Sequence, residues 1–322
     1  QGGNLYLSTG SGAVTLNSNM TLGTGRIFFR SDGSYTNGSK ILGGVLSASG
    51  DVTFNTPFQM NGGASILTDG VIRLSSTVNL NTGSGVLTLR GSAIDFTGAT
   101  LQNLNTASMR LEPADPATNM VLGDASGFAS ASTLNALPGI RNLTIGRSDG
   151  TGTITVPGSN FSFNANGTLE VVNANVDISG GSLTNTSGNI TITGDNIAIN
   201  RSVTANSGAG KVTLRQLTPA NTITLGSGLS SAVVGQINAA TLVVGRSDGG
   251  TVLFDSDITT NATTVHLMSG QQVLGVNGGV SAANVAVTAG AGATLTSSTF
   301  DFGTLALRVG GPTLVSKAAG DL

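Results

Sequence analysis

Cysteine and tryptophan are absent from this chain, histidine occurs once, proline 7 times in 322 residues, and charged residues make up only 9%. Each shortage closes a class of explanation. Without cysteine there is no disulfide framework, no thiolate nucleophile and no cysteine-ligated metal. Lys and Arg number 14 against 16 Asp and Glu, giving a net charge of −2 and a pI near 5.2, so no basic face exists for nucleic acid. No apolar run approaches the roughly 18 residues of a spanning helix, so no membrane-spanning segment is expected. Disorder is excluded as well: 39% of residues are hydrophobic and mean hydropathy is +0.22, far from the low-hydropathy, high-charge signature. What fills the space is 48 glycines, against an average usage of roughly 7%, together with Ser, Thr and Asn, uncharged residues suited to turns.

Almost every segment is a short alternating run closed by Gly, Asn or Ser. Ala13-Val14-Thr15-Leu16, Val86-Leu87-Thr88-Leu89, Asn189-Ile190-Thr191-Ile192-Thr193 and Lys211-Val212-Thr213-Leu214 are examples. Apolar residues at every second position predict strands with one face inward and Thr or Ser outward. Helix signals are confined to Ala129–Leu137 and Leu229–Ile237, which hold matching places in a longer repeat.

That repeat is marked by three copies of one tetrapeptide: Arg30-Ser31-Asp32-Gly33, Arg147-Ser148-Asp149-Gly150 and Arg246-Ser247-Asp248-Gly249. Pro116-Ala117-Thr118-Asn119-Met120-Val121-Leu122-Gly123 before the second copy matches Pro219-Ala220-Asn221-Thr222-Ile223-Thr224-Leu225-Gly226 before the third. Strands also return every 15 to 25 residues or so, the span of one solenoid coil. Two architectures suit many short strands with Gly turns, a series of β-sandwiches or a parallel β-helix. Coil-length repetition, scarce proline and the lack of linkers favour the second. The expected fold is all-β: a right-handed parallel β-helix (β-solenoid) rod over residues 1–322, with imperfect repeats near 1–105, 106–205 and 206–322. At roughly 20 to 25 residues per coil it makes about 13 to 16 coils and a rod of about 60 to 75 Å at the strand spacing.

Gly210 to Pro219 runs into Thr222-Ile223-Thr224-Leu225-Gly226, then a small-residue stretch, Ile237 to Gly245 and the tetrapeptide. This order resembles the shaft repeats of filamentous-haemagglutinin-like exoproteins, bacterial surface adhesins exported by two-partner secretion. The resemblance covers about residues 80 to 290 well and the rest by texture. The Asn-Pro-Asn motifs of that family's secretion domain are missing, so the chain resembles shaft alone. The resemblance implies a right-handed β-helix at a Gram-negative surface, extracellular, serving adhesion, matrix or biofilm contact.

Candidates for chemistry are few. His266, between Val265 and Leu267, is expected outward and without partners. Glu occurs only as Glu112 and Glu170. Asp255 and Asp257, if on one strand, share a face about 7 Å apart, a spacing resembling the paired carboxylates of glycosidases; a carbohydrate-active β-helix enzyme, lyase or hydrolase, is therefore the alternative function. A passive glycan-binding module using outward Ser, Thr and Asn or the aromatic Tyr35 is another. The tetrapeptides read as structural corners: Arg30, Arg147 and Arg246 pair with Asp32, Asp149 and Asp248, and Gly33, Gly150 and Gly249 take positive φ. No catalytic, cofactor or metal residue is assigned. Asn-x-Ser/Thr triplets at Asn142 and Asn166 are glycosylation signals only by composition. The strand-like ends, Leu5-Tyr6-Leu7 and Leu305 to Val309, carry no capping pattern. The expected partners are thus copies of the chain stacked end to end, or the rest of a longer rod, and host or matrix glycans.

Overall fold

The computed structural model describes residues 5–8, 14–16, 20–22, 27–30, 40–81, 83, 85–124, 128, 130–158 and 160–316, with side chains from Leu42 onward except at Ser132. Nearly all of it is parallel β-strand wound as a β-solenoid of about 12 turns. Two compact units divide the chain, one of residues 1–152 with 163–168 and one of 153–162 with 169–322.

In the first unit each coil lays down three strands, one on each of three faces. Val71–Leu74, Thr77–Asn81 and Val86–Gly91 form one such coil. The first stacks between Val52–Phe54 and Ala93–Asp95, the second between Phe58–Asn61 and Thr100–Gln102, the third between Ser65–Thr68 and Ser108–Pro113. Every pairing is parallel and side by side, so like positions of successive coils become neighbours. The alternation read from sequence is the reason: in Val86–Gly91, Leu87 and Leu89 are fully buried while Val86, Thr88 and Arg90 are not.

The second unit repeats the arrangement. Asn189–Thr193, Lys211–Arg215, Thr241–Gly245, Thr264–Ser269, Val280–Ala289 and Asp301–Val309 stack in sequence order on one face. Its interior holds unmixed aliphatic rows such as Ile190, Val212, Leu242, Val265 and Val285, each at most 2% exposed. Polar rows form at the surface by the same register: Asn196 donates Nδ2–H to Asn175 Oδ1 at 2.8 Å and Ser202 donates to Ser182 at 2.8 Å.

Coils are offset by 20 to 22 residues at most positions, as from Gln59 to Asn79 or Arg90 to Glu112. Several are longer, most of all the two that pair Ser108 with Asn142 and Lys211 with Thr241. The surplus residues hold the only α-helices among the described residues, α1 (Ala131–Asn135) and α2 (Ser231–Val234), capped by Ser130 and Ser230 hydroxyls. The turns number about 12, fewer than the 13 to 16 expected. No helix among the described residues is long and apolar enough to cross a membrane.

One interior row makes a direct test. Leu267 and Val287 are buried, whereas Leu307, next in the row, is 44% exposed. Leu267→Ala should lower unfolding free energy by about 2–5 kcal/mol, and Leu307→Ala by less than about 1 kcal/mol, in parallel urea titrations. Equal losses would show that the row is not the unit of stability.

Candidate functional site

The tetrapeptide corners hold the densest polar geometry. After the strand Ile140–Gly146, Arg147 turns back: Nε donates to Asp149 Oδ1 at 2.7 Å and Nη2 to Oδ2 at 2.6 Å. Its Nη1 reaches the preceding coil, donating to the carbonyls of Pro113 at 3.0 Å and Ala114 at 2.6 Å. Such a planar fork needs guanidinium; lysine cannot reproduce it. Gly150 N–H closes the turn on Arg147 O at 3.1 Å. The third copy repeats this with Arg246 Nε to Asp248 Oδ1 at 2.6 Å, Nη2 to Oδ2 at 2.8 Å and Gly249 N–H to Arg246 O at 2.9 Å, but its cross-coil contact to Gln216 O is longer, 3.4 Å. Arg30 ends the strand Ile27–Arg30, and Asp32 and Gly33 lie outside the described residues.

One expectation is corrected. Gly150 and Gly249 do not have positive φ; the left-handed residues are Gly146 (φ 102) and Gly245 (φ 89), immediately before each arginine. The chain must swing at the strand end, before the turn. At Gly245 a Cβ would also sit 2.1 Å from Met268 O on the next coil, so glycine is required twice over. Gly249 is needed for room instead, since a Cβ there would meet Arg246 Cγ and Gln216 Nε2 at 2.6 Å.

The paired charges stabilise each other's ionised forms. Hydrogen bonding to Arg147 and Arg246 holds the Asp149 and Asp248 carboxyls below the usual range, and the same bonds raise both arginines. Depressed carboxyl values contribute stability above the unfolded-state pKa of about 4, and that contribution is lost as pH falls through the folded value.

Both glutamates stitch coils together, a role that sequence reading did not assign. Glu112, 4% exposed, accepts from Arg90 Nε at 2.8 Å and Nη2 at 2.5 Å, and from Arg110 at 3.4 Å. Arg215 donates to Glu170 at 2.6 Å and to Thr193 Oγ1 at 2.9 Å. The only available signal was register, because Arg90 and Glu112 occupy the same rung on adjacent strands.

Asp255 and Asp257 are not on a strand. They occupy the bend between Val252–Phe254 and Ile258–Thr259, each bound to a different neighbour. Asp255 accepts from Ser227 N at 2.9 Å and from Ser227 Oγ; those bonds hold its carboxyl low, the wrong direction for a general acid at neutral pH. Asp257 accepts from Thr299 Oγ1 at 2.6 Å and Gly279 N at 3.3 Å. His266 is half-buried, with Nε2 2.9 Å from Thr288 Oγ1, and burial lowers its pKa first, the Lys211 charge second. The Asn142 and Asn166 amides of the two glycosylation triplets are engaged with Ser108 and the Gly139 carbonyl, and Tyr35 lies outside the described residues. Among the described residues no group of three His, Cys, Asp or Glu side chains could hold a metal ion.

No family model, curated protein or solved structure matches the chain.

Arg147→Ala should lower stability by about 1–3 kcal/mol, mainly by orphaning the Pro113 and Ala114 carbonyls rather than the exposed, screened carboxylate. Arg246→Ala should cost less in the same urea titration. A pH series should show a stability plateau above about pH 5 and decline below about pH 4, shallower in Asp149→Asn. Equal loss in both arginine variants, or an unchanged acid slope, would contradict these roles.

Proposed function

We propose that this chain is a structural segment of an extracellular surface protein, an adhesin shaft or filament-forming element of the filamentous-haemagglutinin-like kind, whose work is reach and contact in attachment, matrix or biofilm. One observation carries the reading. The charged groups that lie close together among the described residues bind one coil to another or close a corner: Arg73 to Asp51, Arg90 to Glu112, Arg215 to Glu170, Arg147 to the carbonyls behind it. A catalytic centre holds charge in reserve for substrate; in these pairs charge is spent on cohesion. Among the described residues no long loop opens for cleavage, so such a surface resists proteases, and it does so without disulfides.

The shaft also offers strand edges for further pairing, so copies stacked end to end, or more coils of a longer protein, are its proposed partners. Its proposed location is the outside of a Gram-negative cell. Electron microscopy of the purified chain should show elongated particles, some longer than one chain, and antibody raised against it should label intact cells of the source organism. Compact particles of a single size, or labelling that appears only after lysis, would overturn the reading.

A further inference from the structure

A solenoid face is continuous only where each coil sets a strand beside the last. In the second unit, Val203–Ala205 pairs with Ile237–Asn238 and Lys211–Arg215 with Thr241–Gly245, so two faces keep their pairing across the helical coil, although the first of these sheets ends at Ile237–Asn238. The third does not. Asn196–Ile199 is the last strand of its sheet and Ile223–Leu225 the first of another. Between them lies a cleft of about 670 Å³, within the roughly 300–1,000 Å³ typical of small-ligand sites.

The first unit breaks the corresponding face after Ala93–Asp95, at its own helical coil, where α1 packs against that strand as α2 packs against Asn196–Ile199. Thr133 of α1 donates its hydroxyl to the Ile94 carbonyl at 2.5 Å, and Phe128, two residues before the Ser130 cap, is 4% exposed. At matching positions around the Ser230 cap the second unit has Val233, which cannot donate, and Gly228, which lines the cleft. A buried aromatic residue in one repeat is replaced by a glycine on the cleft wall in the other.

The walls define what could enter. Ile197 is the last rung of the row Ile154, Val176, Ile197, and is only part-covered at the open edge. The cleft lining also holds two acceptors with nothing to accept from. Gln216 is 1% exposed; its Nε2 donates to Asn221 O at 3.0 Å, while its Oε1 has no partner. Asp177 Oδ1 is likewise buried without a partner. A buried acceptor left without a partner is destabilising, and a donor relieves it. The other carboxylate of the cleft, Asp195, already accepts from Thr218 N at 2.9 Å and Oγ1 at 2.6 Å, which leaves one uncommitted carboxylate, too few for a metal or a strongly cationic peptide.

We propose that this cleft binds a neutral saccharide, one or two rings deep, its hydroxyls donating to Gln216 Oε1 and Asp177 Oδ1 and its C–H face resting on Ile197. The site does not depend on the shaft reading and would exist on any protein built this way.

The test uses the full chain and the neutral probes maltotetraose, cellotetraose and chitotetraose, followed by saturation-transfer NMR and calorimetry. Saturable binding of at least one is expected. Asp177→Asn and Ala198→Trp, the latter an exposed position whose indole would occupy the cleft, should each weaken it at least roughly tenfold while leaving the far-ultraviolet circular dichroism unchanged. No saturable binding to the folded chain, or binding indifferent to both variants, overturns the proposal. So does binding of the strand peptide acetyl-Thr-Val-Thr-Val-Thr-amide in place of the sugars, which would assign the open edges to strand addition.

Discussion

A single coil of this chain cannot stand alone. Its short strands have no partner within the coil, and its inward Leu, Ile and Val side chains bury nothing against themselves. Both needs are met by the neighbouring coil, through parallel pairing of like position against like. From this follows the composition. A rung must be compatible with the rung above and below it, so interior rungs are aliphatic and exterior rungs are Thr, Ser or Asn, which donate and accept without charge repulsion. Charge enters where opposite signs can occupy one rung, as Arg90 and Glu112 do.

The same constraint governs the corners. Backbones of successive coils approach closely wherever the chain turns, and a side chain at the wrong place collides with the coil next to it. Gly290 and Gly310 illustrate it: a Cβ on either would sit within 2.3 Å of the carbonyl of the glycine one coil before. The abundance of glycine is therefore a packing requirement between coils more than a demand for unusual dihedrals, and most of these glycines have ordinary φ. Gly146 and Gly245 are among the nine described glycines with positive φ, because there the strand must release the chain into a turn that returns an arginine to the preceding coil.

Period-two alternation made the strands and their inward faces legible, down to Val265 and Leu267 flanking an outward-leaning His266. The two helix-prone segments were legible too, because their small and apolar residues break the alternation. What could not be read was anything decided by the neighbouring coil. Asp255 and Asp257 looked like a strand pair, yet Ser227 and Thr299, distant in sequence, hold each in a bend. The glycine with positive φ was sought inside the tetrapeptide, since a turn motif carries no sign of where the preceding strand must swing. Glu112 and Glu170 have no local pattern at all; their partners are one or two coils away.

The two helical coils show how far this architecture can be loosened. Each adds residues to one coil and loses strand-to-strand bonds, on the faces of Ala93–Asp95 and Thr100–Gln102 in the first and on that of Asn196–Ile199 in the second, while the face bearing Lys211–Arg215 and Thr241–Gly245 keeps its register. An insertion is tolerated because pairing on the remaining faces still fixes the position of the next coil, so the disturbance ends there: Ile223–Leu225 resumes a regular stack with Val252–Phe254 and Gln272–Gly275. Redundancy among faces thus separates stability from local shape. A coil can give up one ladder, exchange a buried phenylalanine for glycine, and expose polar groups there, without cost to the register that holds its neighbours. In a fold that otherwise repeats itself, such coils are where a distinct surface can arise.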